Sequence, residues 1–202
     1  LGRPVMPSEA LRSVDVVVNG LHGEYGEDGE VQKILERFGV PYTGSGPYAS
    51  HVAMHKVMAK EQAIAVGVLT PRYRFIEPTS DVEAIIADVV RSFPQPVVVK
   101  PVRWGSSVGI SIVGGHASIY KAVMDILQDS GGVVIEERIA GREATAGVVE
   151  RLRDEALYAL PPIEIVPPEE DFFSYDAKYS GASREICPAQ FPKKVTEELQ
   201  RI

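Results

Sequence analysis

The residues best suited to chemistry sit together at 98–110: Val98, Val99, Lys100, Pro101, Val102, Arg103, Trp104, Gly105, Ser106, Ser107, Val108, Gly109 and Ile110. An apolar, β-branched run delivers Lys100, and Pro101, which has no N–H to give, stops the strand ladder. Gly105, the two serines and Gly109 then form a small-residue loop before a second β-branched run at 110–113. Small residues let backbone N–H groups approach an anion closely, and the hydroxyls of Ser106 and Ser107 add donors. With the charge of Lys100 beside them, this set suits phosphate. It is not the loop in which glycines lead to a lysine and open a helix, because here the lysine comes first and a strand follows. A plain β-hairpin carrying a solvated lysine fits the same residues.

Two further places carry polar groups worth weighing. Lys56 and Lys60 lie one turn apart in a helical pattern at 48–66, where Val52, Lys56, Ala59, Ala63 and Val66 recur by threes and fours. Taken alone, they read as two solvated lysines on an amphipathic surface. His22 stands in the loop 20–29, which holds four glycines. It is placed to touch a ligand, although a lone loop histidine is ordinarily just polar surface.

The elements that must position these residues follow from periodicity. Residues 14–19 read as a buried parallel strand. They feed the glycine loop, and Glu27 and Asp28 favour the positive end of a helix that carries Val31, Ile34, Leu35 and Phe38. Gly39 closes that helix. Strand, glycine loop and helix make one unit of a doubly wound sheet. Residues 41–46 form a turn out of this first domain, and Gly67 caps the helix at 48–66. A strand at 72–76, a helix at 81–90 with Ser80 or Asp81 as N-cap, and a helix at 117–127 follow. A strand at 132–139 ends in charges, and a turn at 141–143 leads to strands at 144–149, 157–160 and 163–166. Residues 167–183 show neither period. Ordering them costs roughly 1–2 kcal/mol per residue, and burying Phe172, Phe173 and Tyr175 returns about 1.5–3 kcal/mol each. Their own aromatics cannot hold this stretch shut, so it is expected to be a lid that closes on a ligand.

The totals exclude several classes. The 202 residues allow one or two domains, and 45% hydrophobic with 24% charged is an ordinary globular composition. A net charge of −7 argues against nonspecific nucleic-acid binding. No run approaches a membrane span, and no signal peptide is visible. Cys187 is the only cysteine, which leaves no disulfide framework and no cysteine-rich zinc site. Cytoplasm is the default compartment. The chain begins at Leu1, and its last helical pattern, Val195, Leu199 and Ile202, meets no cap. An internal piece of a longer protein is the expectation.

Five motifs occur here in one order: 22–29 (His-Gly-Glu-Tyr-Gly-Glu-Asp-Gly), 41–46 (Pro-Tyr-Thr-Gly-Ser-Gly), 99–109, Gly141-Arg142-Glu143 and Ala177-Lys178-Tyr179. In that order they resemble the D-alanine–D-alanine ligases of the ATP-grasp superfamily, over nearly the whole chain. The resemblance implies an α/β ATP-grasp fold: the end of a doubly wound N-terminal domain at 1–46, a central α+β subdomain at 47–138, and the start of a C-terminal α+β subdomain with the lid at 139–202. It implies that ATP phosphorylates one D-alanine and that a second D-alanine attacks the acylphosphate, giving the dipeptide of peptidoglycan.

By the same resemblance Lys56 and Lys100 contact the ATP phosphates, and Ser107 lies in the loop over them. Glu136, Glu137, Arg138 and Ile139 form the strand that holds adenine, and Glu143 accepts from the ribose hydroxyls. Ser106 and Tyr179 form the pair that orients substrate and lid, Lys178 reaches the transferred phosphate, and His22 lies near the first D-alanine. Magnesium or manganese is the implied metal, with ligands expected beyond the end of this chain, so these residues alone should not complete catalysis. The family is commonly dimeric. The sequence departs from the family at Trp104, where glutamate is usual, at His55, where aspartate is usual, and at Phe173, where tyrosine is common. A ligase joining D-alanine to D-lactate or D-serine is a rival. In one depsipeptide-forming lineage histidine enters the lid motif, so Lys178 and Tyr179 favour the dipeptide. A noncatalytic nucleotide-binding remnant is the alternative of a different class.

Overall fold

The computed structural model describes residues 4–167 and 183–202. The chain divides into two units, one of residues 1–105 and 109–137, the other of residues 106–108 and 138–202.

The first unit begins with helix α1 (Pro7–Ala10), a short 3-10 turn and the glycine loop, which leads into α2 (Glu30–Arg37). Asp28 receives the Tyr25 and Glu30 N–H groups on its two carboxylate oxygens, at 2.8 and 3.1 Å, which starts α2. The buried parallel strand expected at 14–19 is not there. Val17 makes one parallel bridge to Tyr42, and Val14, Val16 and Val18 remain exposed. β-Branched residues favour a strand only where neighbours complete the ladder and cover its faces, and among the described residues this segment has one such neighbour.

The single helix expected at 48–66 is two, α3 (Pro47–Met54) and α4 (Lys56–Ala65). His55 breaks them apart with φ −88° and ψ 101°. Its N–H donates to the His51 carbonyl and closes α3, while its Nδ1 accepts the Met58 N–H at 3.3 Å and caps α4. The apolar period runs through the break and hides it from the sequence.

Four antiparallel strands then form a sheet in the order β1 (Tyr73–Ile76), β4 (Val133–Glu137), β2 (Val97–Pro101), β3 (Ser111–Val113). Helices α5 (Val82–Ser92) and α6 (His116–Ser130) cover one face. Asp81 caps α5 by accepting the Ala84 N–H at 3.0 Å. Strand side chains alternate between faces. Ile76, Val97, Val99, Val133 and Ile135 point into the main core with Ile86, Val89, Ile119 and Val123 of the two helices. Tyr73, Phe75 and Val134 point the other way and pack with Val57 of α4 and Val102. Lys100 and Glu136 fall on this second face. Because Val98 stands opposite Glu136, Lys100 is its diagonal neighbour across the pair.

The second unit carries β5 (Glu143–Thr145), β8 (Ile163–Val166) and β9 (Arg184–Ile186) in the order β5-β8-β9, a hairpin of β6 (Val148–Leu152) and β7 (Glu155–Ala159), and α7 (Lys193–Arg201). The one strand expected at 144–149 is therefore two. β5 pairs with β8 and β6 with β7, and between them the Gly147 carbonyl accepts the Leu160 N–H at 2.8 Å. The expected lid lies almost wholly outside the described residues, as do Lys178 and Tyr179.

Candidate functional site

On the α4 face of the first sheet a carboxylate is shared by two lysines. Glu136 sits in β4, whose first four residues are buried, and its side chain is 6% exposed. Its Oε2 lies 2.9 Å from Lys60 Nζ, and its Oε1 pairs with Lys100 Nζ. Burial pushes the Glu136 carboxyl up, but the charges and hydrogen bonds of Lys100 and Lys60 outweigh it and hold the group below the usual carboxylate range. The carboxylate is thus an acceptor only, with a lysine on each oxygen.

Lys60 is 12% exposed, which corrects the reading of two solvated lysines. Its ammonium also donates to Thr70 Oγ1 at 3.1 Å and to the Pro71 carbonyl at 3.4 Å, and it stands 5.3 Å from the Tyr73 ring centroid. Lys56, one turn earlier, donates to the Trp104 carbonyl at 2.7 Å. Its backbone N–H donates to the Val102 carbonyl at 2.9 Å. The start of α4 is thereby tied to the segment that leaves β2, and Lys60, Lys100 and Glu136 come together within the first unit, with Lys56 one helical turn before Lys60.

The glycine-serine loop turns sharply between two strands. β2 and β3 are antiparallel neighbours, and between them Ser106 and Ser107 take φ of 51° and 60°, both left-handed. Non-glycine residues there cost roughly 1–3 kcal/mol each and gather at ligand sites. Gly109 has φ +71°, and a Cβ on it would lie 2.9 Å from Pro101 Cγ and 3.1 Å from the Trp104 ring. Trp104 packs its ring against Gly109 and the main core while its carbonyl holds Lys56.

Glu137, at the end of β4, is paired with Arg72 Nε at 3.0 Å, and its N–H donates to the Arg72 carbonyl. Ile139 and Glu143 are exposed in the second unit. Glu143 opens β5 beside Arg142, whose guanidinium forks onto buried Glu164 with two contacts of 2.6 Å and packs against the Phe191 ring at 4.3 Å. That fork fixes the strand start from which Glu143 projects. His22 is exposed on the glycine loop, where Asn19 Nδ2 and Gln32 Nε2 both donate to the Gly26 carbonyl. Among the described residues no three His, Cys, Asp or Glu side chains are grouped to hold a metal ion, and no helix is long and apolar enough to cross a membrane.

Lys60, which its helical pattern alone assigns only to a solvated surface, is a member of this charged group. The signal was present: an acidic residue inside a strand of otherwise buried apolar residues must find a cation, and Lys60 repeats Lys56 at one helical turn.

Comparison with known proteins agrees with this architecture. Residues 63–202 match the family described as "D-ala D-ala ligase C-terminus" and residues 3–45 the family "D-ala D-ala ligase N-terminus". A D-alanine–D-alanine ligase from Geobacter sulfurreducens is 41% identical over 196 residues, covering 96% of this chain and 58% of that protein. Among solved structures, a D-alanyl-alanine synthetase A from Vibrio cholerae superposes with a TM-score of 0.79 at 30% identity, over 93% of this chain and 57% of that one. The VanG D-Ala:D-Ser ligase from Enterococcus faecalis gives 0.80 at 30% identity, over 93% of this chain and 54% of that one. The chain therefore spans a little under 60% of the length of the curated relative and of both solved structures. With both family matches in chain order and the mixed α/β, antiparallel-sheet architecture of these ATP-grasp enzymes, the chain belongs to the D-alanine–D-alanine ligase family.

Proposed function

We propose that this chain is the nucleotide-handling part of a ligase that uses ATP to join two D-alanines through an acylphosphate, supplying the dipeptide of peptidoglycan in the cytoplasm. The observation that carries the reading is the lysine-rich face of the first sheet. Lys60, Lys100 and one buried carboxylate, Glu136, leave a net positive charge there, beside Lys56 at the start of α4. A charge about 4 Å from a phosphate is worth roughly 4 kcal/mol at an effective dielectric of 20. These residues fit an anionic nucleotide. Magnesium has no matching donor set among the described residues.

In this reading Lys56 and Lys100 hold the phosphates, and the Ser106–Ser107 turn covers them with N–H and hydroxyl donors. Strand β4 and Ile139 hold the base, and Glu143 accepts from the ribose. When bound, ATP supplies the phosphoryl group that activates the first carboxylate. Ser106, Lys178 and Tyr179 orient substrate and transferring phosphate, and His22 stands near the first D-alanine. The domain boundaries proposed are 1–46, 47–138 and 139–202, with a homodimer as the assembly. D-serine as the second substrate is the second reading, favoured by the likeness to the D-Ala:D-Ser ligase.

The test uses the complete reading frame that contains this chain. D-Alanine-dependent phosphate release and dipeptide formation are expected, and Lys100→Met should lower kcat/KM for ATP at least about tenfold, or 1.4 kcal/mol. Unchanged kinetics would remove Lys100 from the site. Faster turnover with D-serine as the second substrate would favour the second reading.

A further inference from the structure

We propose that Lys60 is a positioning residue that releases Lys100 for the nucleotide by carrying the charge of Glu136. This rests on the reading that Lys100 serves ATP phosphates.

An ammonium has three N–H donors and no acceptor. Lys60 has three acceptors around it: Glu136 Oε2 at 2.9 Å, Thr70 Oγ1 at 3.1 Å and the Pro71 carbonyl at 3.4 Å. At 12% exposure, with its donors committed, it is not placed to bind a ligand itself. Its effect must pass through Glu136. That carboxylate holds Lys60 on one oxygen and Lys100 on the other, so two cations share one anion and the group keeps one positive charge. Without Lys60 the carboxylate would have Lys100 as its ion-pair partner in this group, the two charges would cancel, and the attraction for a phosphate would go. The register explains why the task falls to α4. Lys100 and Glu136 are fixed on one sheet face by β2–β4 pairing, and α4 is the helix whose Val57 packs on that face. Lys60 follows Val57 by three residues and reaches the same surface. Thr70 and Pro71, just before β1, complete its cage.

The experiment compares wild type, Lys60→Met, Lys60→Arg and the double variant Lys60→Met/Glu136→Gln in the whole chain. It measures ATP affinity by calorimetry, stability by urea unfolding, and the rate at which trace acetic anhydride acylates the Lys100 amine. Lys60→Met should weaken ATP binding about tenfold, the equivalent of 1.4 kcal/mol, and slow Lys100 acylation. Lys60→Arg keeps the charge and should restore affinity to within about threefold of wild type. The double variant removes the anion that captures Lys100 and should recover part of the lost affinity; it leaves in this group only the charge of Lys100, whose side chain is 25% exposed to water, so it stands in if Lys60→Met alone does not fold. A folded Lys60→Met with wild-type affinity overturns the proposal. So does a double variant that binds more weakly than Lys60→Met, or an arginine variant as weak as the methionine one at equal stability. If wild type fails to bind ATP, the nucleotide reading fails separately. The acylation rate then decides the sharing of Glu136: slower in Lys60→Met supports it, unchanged overturns it.

Discussion

Glu136→Gln is the sharpest perturbation of the first unit. It keeps the shape of the side chain and removes the charge that balances Lys60 and Lys100. The wild-type carboxylate is nearly buried, with partners on both oxygens. Breaking a buried ion pair costs roughly 3–5 kcal/mol, because the remaining charge is left uncompensated. Here Lys60 and Lys100 keep 12% and 25% of their side-chain surface, so water offsets part of that loss, and about 3 kcal/mol at neutral pH is the expected cost. With a urea m-value of about 2 kcal/mol/M, the midpoint should fall by roughly 1.5 M. Trp104 is the only tryptophan and packs against the main core of this unit, so its fluorescence reports the right transition. The pH dependence has a definite sign. The folded carboxyl is held below its ordinary value, so the folded state binds protons less readily than the unfolded chain. Its stabilisation is present above the ordinary carboxylate range and is lost as pH falls through the lower folded value. The gap between wild type and Glu136→Gln should therefore close in acid. A variant as stable as wild type at pH 7, or a gap that widens in acid, would refute the reasoning.

Three other expectations follow from single contacts. His55→Ala should cost about 1 kcal/mol by removing the cap of α4, while His55→Asp should retain it. Burial first, then Arg103, holds His55 below its ordinary value, so its contribution is present above that value and lost as pH falls through the folded one; urea melts of wild type and the alanine variant at several pH values check this. Gly109→Ala should destabilise by roughly 1–3 kcal/mol, since it combines positive φ with a Cβ pressed on Pro101 and Trp104, and a neutral result in the same melt would contradict the packing described. In the complete protein Glu143→Ala should raise the KM for ATP and leave kcat nearly unchanged, as loss of uniform binding requires; a loss confined to kcat would move Glu143 into the chemistry.

What the sequence made legible was local. The Lys100 strand, the small-residue turn and the returning strand are contiguous, and their pattern alone describes the β2–β3 hairpin. Ser80 or Asp81 announces α5, the structure choosing Asp81, and Gly39 ends α2 for equally local reasons. What stayed hidden needed a partner distant in the chain. Lys60 and Glu136 are 76 positions apart, and nothing in the α4 pattern says which face meets β4. The break at His55 was masked because apolar spacing continues across it, while the cause is a backbone bond from Lys56 to Val102. Residues 14–19 have strand composition, yet a strand needs neighbours, and the described residues supply one bridge.

On the proposed reading the sheet face holding Lys100 and Glu136, with Lys56 at the start of α4, takes ATP. Amide hydrogen exchange of the chain with and without ATP reads it out segment by segment. Slower exchange is expected at 98–107 and 133–139, with α1 unchanged and with a smaller effect in Lys100→Met. Equal exchange with and without ATP in both segments, or protection that survives Lys100→Met undiminished, would contradict it.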